Sequence, residues 1–122
     1  MRFVGPECHC RSSMLFDVHP RLASIMFDVD CQLKRIGKEV AWTSIIREQS
    51  GDSGIHSQKR AADMSVKNLS DHESKDLVEF LNSKYTYDIS RPQIMTAILN
   101  DGGNYAGQGS ANHIHIQVAV GF

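Results

Sequence analysis

The stretch that decides the fold reads "NHIHIQVAV", residues 112–120. Ile114, Ile116, Val118 and Val120 take one set of alternate positions, and His113, His115, Gln117 and Ala119 take the other. Side chains alternate across a β-strand, so the pattern predicts one apolar face against a core, with both histidines turned the opposite way. Residues i and i+2 of a strand stand about 6.6 Å apart at the backbone. One imidazole can then bind a metal while the other faces the metal's open position. The plainer reading is a solvated strand face that carries two histidines, so the rest of the chain has to supply further ligands.

The chain has 122 residues, enough for one domain with a hydrophobic core. A single domain spanning 1–122 is expected, with an irregular segment over 1–15 that is coil or a short edge strand. Its 41% apolar and 22% charged residues are those of a globular protein, and a net charge of -1 gives no basic surface for nucleic acid or anionic membrane. No apolar run approaches the ~18 residues of a membrane span. The opening "MRFVGPECHC" lacks the apolar core of a secretory signal, so synthesis in the cytoplasm without a classical signal peptide is expected. Cys8, Cys10 and Cys31 are odd in number and cannot form a complete disulfide framework, so three reduced structural thiols are expected.

Working backwards from the last strand, "NDGGNYAGQGSA" (100–111) is a glycine-rich loop, and its glycines do not open a helix as a phosphate-cradling loop would. "QIMTAIL" (93–99) reads as a strand. Ser70 and Glu73 form the pattern of a capping box, followed by a helix stripe of Leu77, Val78 and Leu81 with Phe80 beside it. "RAADMSV" (60–66) and "EVAWTSIIR" (39–47) read as strands, separated by a polar loop over 48–59. Pro20 opens an amphipathic helix with Leu22, Ile25, Met26, Val29, Leu33 and Ile36 on its stripe, and Gly37 ends it. Asp28 and Asp30 inside this helix read as solvated charge. The order helix, strand, strand, helix, strand, strand predicts an α+β fold, with a small, mostly antiparallel sheet and helices packed on one face.

The segment "HSQKRAAD" (56–63) supplies what the histidine pair lacks. Asp63 alternates with Ala61 and Ser65, opposite Ala62, Met64 and Val66, and so turns to the polar face. His56 lies seven residues before it. Two imidazoles and one carboxylate suit zinc and leave one position for water, whose pKa zinc lowers towards 7.

"HSQKRAAD", followed far downstream by "HIH", resembles the zinc centre of the hedgehog/D-Ala-D-Ala peptidase superfamily, over the region from Glu39 to the end. The family's first motif is His-x-x-Gly-x-Ala-x-Asp. His56, Ala61 and Asp63 match it, while Lys59 stands in place of the glycine. The resemblance implies a hedgehog/DD-peptidase-like fold and zinc held by His56, Asp63 and His115. It implies a carbonyl-binding arginine at Arg47, where a guanidinium stabilises an oxyanion. Many members carry a general-base glutamate shortly before the last ligand. "YAGQGSANHIH" has neither Glu nor Asp, and His113 is the remaining candidate to move the proton.

The implied activity is that of a zinc metallopeptidase cutting peptidoglycan stem peptides, as a D-Ala-D-Ala carboxypeptidase or L-Ala-D-Glu endopeptidase. Action on the cell wall, from a phage-encoded or virion-associated protein or a bacterial protein exported by another route, suits the size of the chain. The missing carboxylate and Lys59 point instead to a non-catalytic, zinc-stabilised binding or virion structural domain of the same fold.

Overall fold

The computed structural model describes residues 1–46, 58–100 and 113–120. The strands are β1 (Arg2–Phe3), β2 (Ala41–Ser44), β3 (Ala61–Ser65), β4 (Ala97–Asn100) and β5 (His113–Gln117). The helices are α1 (Pro20–Arg35) and α2 (Asp71–Lys84), with a 3-10 turn at Ser12–Phe16. The architecture is a small α+β protein with a mixed five-stranded sheet in the order β1-β2-β3-β5-β4. β1 runs parallel to β2, and the other three pairings are antiparallel.

α1 forms where its signals place it. Pro20 is the first helical residue, and the His19 ring Nδ1 accepts the Arg21 N–H at 3.1 Å, which satisfies one free amide of the first turn. Its end is a Schellman motif: Lys38 N–H donates to Leu33 O at 2.9 Å and Gly37 N–H to Lys34 O at 3.1 Å. Gly37 has φ +73°, a conformation that costs a residue with a Cβ. α2 opens with a full capping box. Ser70 Oγ accepts Glu73 N–H at 3.1 Å, and Glu73 Oε1 accepts Ser70 N–H at 2.8 Å.

Leu22, Ile25, Met26, Val29 and Leu33 of α1 join Leu77 and Leu81 of α2 in one core with Trp42, Ala62, Met64, Ala97, Ile114 and Ile116 of the sheet. These strand residues alternate, so both helices cover one face and leave the other to the intervening residues. Ile36, expected on the α1 stripe, is 49% exposed because it lies past the last turn, at the C-cap.

The two aspartates of α1 are not solvated as expected. Asp28 accepts from Lys84 Nζ at 2.7 Å and from the Tyr85 hydroxyl at 2.6 Å, tying α1 to the end of α2. Asp30 is buried and pairs with Lys34 at 2.9 Å. Burial alone would raise both carboxyls, but the hydrogen bonds outweigh it and hold them below the usual carboxylate range.

Segment 1–15 supplies an edge strand and a close packing contact. A Cβ on Gly5 would stand 1.8 Å from Thr43 O, so only glycine lets the chain pass there. Cys10 is buried and its thiol donates to Trp42 O at 3.0 Å, whereas Cys8 and Cys31 are exposed and play no packing part.

Four strands are shorter than their sequence pattern. β2 ends at Ser44 and β3 covers 61–65, and β4 starts at Ala97 instead of 93. The delay in β4 follows from a turn. Asp88 Oδ1 accepts from Ser90 N and Oγ, Arg91 N–H bonds Asp88 O, and Ile94 N–H bonds Arg91 O, carrying the chain round past Pro92. β5 ends at Gln117, and Val120 is 69% exposed because it lies beyond the pairing. β4 closes one edge of the sheet. There the Asn82 amide of α2 mimics a neighbouring strand, donating to Ala97 O at 2.9 Å and accepting Ala97 N–H at 2.8 Å. No helix among the described residues is long and apolar enough to cross a membrane.

Candidate functional site

The face that the described helices do not cover is built by β3 and β5. Their register sets Asp63 opposite His115, Ser65 opposite His113 and Ala61 opposite Gln117. Register is fixed by the other face. Ala62 pairs with Ile116 and Met64 with Ile114, all four fully buried, and a slip of one residue would turn them out to solvent.

Asp63, His113 and His115 come together as their sequence positions implied. His115 Nδ1 lies 2.9 Å from Asp63 Oδ1, and His113 Nε2 lies 4.0 Å from the same oxygen. The three side chains are between 13% and 19% exposed, shielded enough to strengthen their interactions yet open to a small ligand. His56 and Arg47 lie outside the described residues.

Two residues that the sequence pattern left without a role join this face. Gln117 is buried, and its Oε1 lies 3.1 Å from His115 Nε2 while its Nε2 donates to Met95 O at 2.9 Å. Its position two residues after His115 was the available signal. Ser44 is the other. Regular pairing from Trp42 opposite Met64 would put Thr43 opposite Asp63. A β-bulge instead brings Ser44 opposite Asp63, and Thr43 Oγ1 donates to Asp63 O at 3.3 Å. Ser44 Oγ is buried without a hydrogen-bond partner. A bulge leaves no mark in the residue pattern of "AWTS", so this serine was not legible.

The donor set of Asp63 and His115 is chemically apt for zinc. Two ligands on one tetrahedral zinc stand about 3.3 Å apart, from bonds of about 2.0–2.1 Å, so the 2.9 Å pair would need to open by well under one ångström. Among the described residues no three His, Cys, Asp or Glu side chains gather closely enough to hold a metal ion. A zinc site on this face would need a third protein ligand from outside them, as His56 is. No family model, curated protein or solved structure matches the chain.

Proposed function

We propose that this protein is a zinc metallopeptidase on a hedgehog/DD-peptidase-like fold, hydrolysing one peptide bond of peptidoglycan stem peptides as a D-Ala-D-Ala carboxypeptidase or L-Ala-D-Glu endopeptidase. The observation that carries the reading is the Asp63–His115 pair. Two residues 52 positions apart, each drawn from a separate half of the resembling motif, meet at 2.9 Å on a partly shielded face. Lys59 adds support. It stands where the motif has glycine and has φ +63°, so the backbone keeps the left-handed conformation that glycine favours although the residue has changed.

In this reading Asp63, His115 and His56 hold zinc, which when bound supplies Lewis acidity towards a scissile carbonyl. His113, on the same face, moves a proton at Nε2. Arg47 binds the developing oxyanion, and Gln117 and Met95 hold His115 in place. Cell-wall action by a phage-encoded or virion-associated protein fits this chemistry.

One observation favours a second reading. Asp63 carries the only carboxylate among the described strand residues, and no acidic residue precedes His113 from Asn104 onward. That suits a zinc-stabilised binding or virion structural domain without turnover.

Digestion separates the two. Zinc-loaded protein is incubated with purified peptidoglycan of several stem-peptide chemotypes, and the fragments are identified by mass spectrometry. The peptidase produces new termini at one stem-peptide bond. His113→Ala lowers that rate by about 10²- to 10⁴-fold while retaining fold and metal. No new termini from any wall type rejects the peptidase in favour of the binding domain.

A further inference from the structure

The polar network around His115 has a direction, and Gln117 sets it. A backbone carbonyl accepts hydrogen bonds and never donates them, so the group facing Met95 O must be the Gln117 amide nitrogen, 2.9 Å away. That fixes the amide, and the atom left facing the imidazole is the carbonyl oxygen Oε1. Oε1 also only accepts. His115 Nε2, at 3.1 Å, must therefore carry its hydrogen and donate it. The other ring nitrogen, Nδ1, lies 2.9 Å from Asp63 Oδ1, which likewise only accepts, so a hydrogen or a cation has to stand between these two atoms.

We propose that Gln117 is a positioning residue that locks His115 with Nε2–H towards Gln117 and makes Nδ1 the nitrogen that faces a bound cation beside Asp63. The order of bonds runs from the Met95 carbonyl through the Gln117 amide and the imidazole to the carboxylate. Each link as far as the Nε2–H is fixed by the one before it. Packing holds the lock in place: Gln117 is buried, and Ala61 across the strand pair has only a methyl beside it. Ligating histidines are commonly held in this way, by donating their other N–H to a fixed acceptor. Where a cation takes the place of the hydrogen between them, Nδ1 and Oδ1 offer it two lone pairs.

The zinc arm of the test rests on the proposed zinc site, and the tautomer arm does not. His115 is followed by NMR in protein with ¹⁵N-labelled imidazoles, without metal, in wild type, Gln117→Leu and Gln117→Glu. Wild type should show a slowly exchanging proton on Nε2. Gln117→Leu should lose that signal with its dispersed backbone spectrum intact, and Gln117→Glu, which keeps an acceptor, should retain it. Zinc affinity by chelator competition should fall about 10- to 100-fold in Gln117→Leu, the usual effect of removing an outer partner of a ligand. A wild-type ring with its proton on Nδ1 and a bare Nε2 overturns the inference without any variant. An unchanged Nε2 proton in Gln117→Leu does the same. A wild type that shows the Nε2 proton but binds no zinc leaves the lock standing and removes the zinc site.

Discussion

The two faces of the sheet are made by the same two strands and obey different rules. On the helix-covered face β3 and β5 contribute Ala62, Met64, Ile114 and Ile116, all fully buried. On the other face, one residue along in each case, they contribute Asp63, Ser65, His113, His115 and Gln117. The apolar face supplies stability, at about 25 cal/mol for each Å² withdrawn from water. The polar face contributes little of that, since withdrawing its charged and amide groups from water offsets most of what their mutual contacts gain. Because alternate residues share one backbone, the apolar face nonetheless sets the geometry of the polar one. Asp63 meets His115 because Ala62 and Met64 have one place to go.

The sharpest break in this comparison is a core truncation. Ile116→Ala should cost about 2–5 kcal/mol, read as the shift of a denaturant melt, although the residue lies between His115 and Gln117 and touches neither role. A loss below about 1 kcal/mol would mean that the helix-covered face does not set the register.

A smaller effect of opposite sign is expected in the turn that delivers β3 to the site. Lys59 holds φ +63°, and its carbonyl accepts the His19 N–H at 2.9 Å. Lys59→Gly should raise stability by about 0.5–1 kcal/mol, relief of the left-handed cost less the added entropy of glycine. Calorimetry showing a loss would mean that the Lys side chain contributes more than its backbone costs.

The smallest expected effect is pH-dependent and belongs to the helix side. The Asp28 carboxyl is held below its ordinary value, so it contributes stability that is present above about pH 4 and is lost as pH falls through its folded value. Lys84→Met removes one of the bonds that lower it. The variant should be slightly less stable at neutral pH, and the gap should close towards pH 2. A gap that stays constant on acidification would assign the effect to the lost contact of the Lys84 ammonium with the Phe80 and Tyr85 rings.

Much of this arrangement was legible before the structure. Alternation in "NHIHIQVAV" gave β5 and both its faces, proline and glycine bracketed α1, and Ser70 with Glu73 opened α2, because each of these signals is local. Strand lengths were less legible. Gln93 to Thr96 look extended by residue type, but hydrogen bonds around Asp88 keep the chain turning until Ala97. Asp28 and Asp30 looked solvated because their partners, Lys84 and Tyr85 for one, come from elements distant in sequence or from the next turn. On the polar face, residue type and alternation set Asp63, His113 and His115 side by side, as the register has them. Ser44 depends on a bulge and does not show in a pattern of types, whereas alternation gives the face of Gln117 but not its contact with Met95, 22 residues away.

The central claim is that the polar face holds one zinc through Asp63 and His115. The direct measurement is zinc content after exhaustive dialysis, with X-ray absorption at the zinc edge, on wild type and Asp63→Ala. The account predicts about one tightly held zinc per wild-type chain, with nitrogen and oxygen ligands at about 2.0–2.2 Å, and loss of that zinc in Asp63→Ala. Wild type that retains no zinc, or an Asp63→Ala variant that retains it with the same ligand shell, contradicts it.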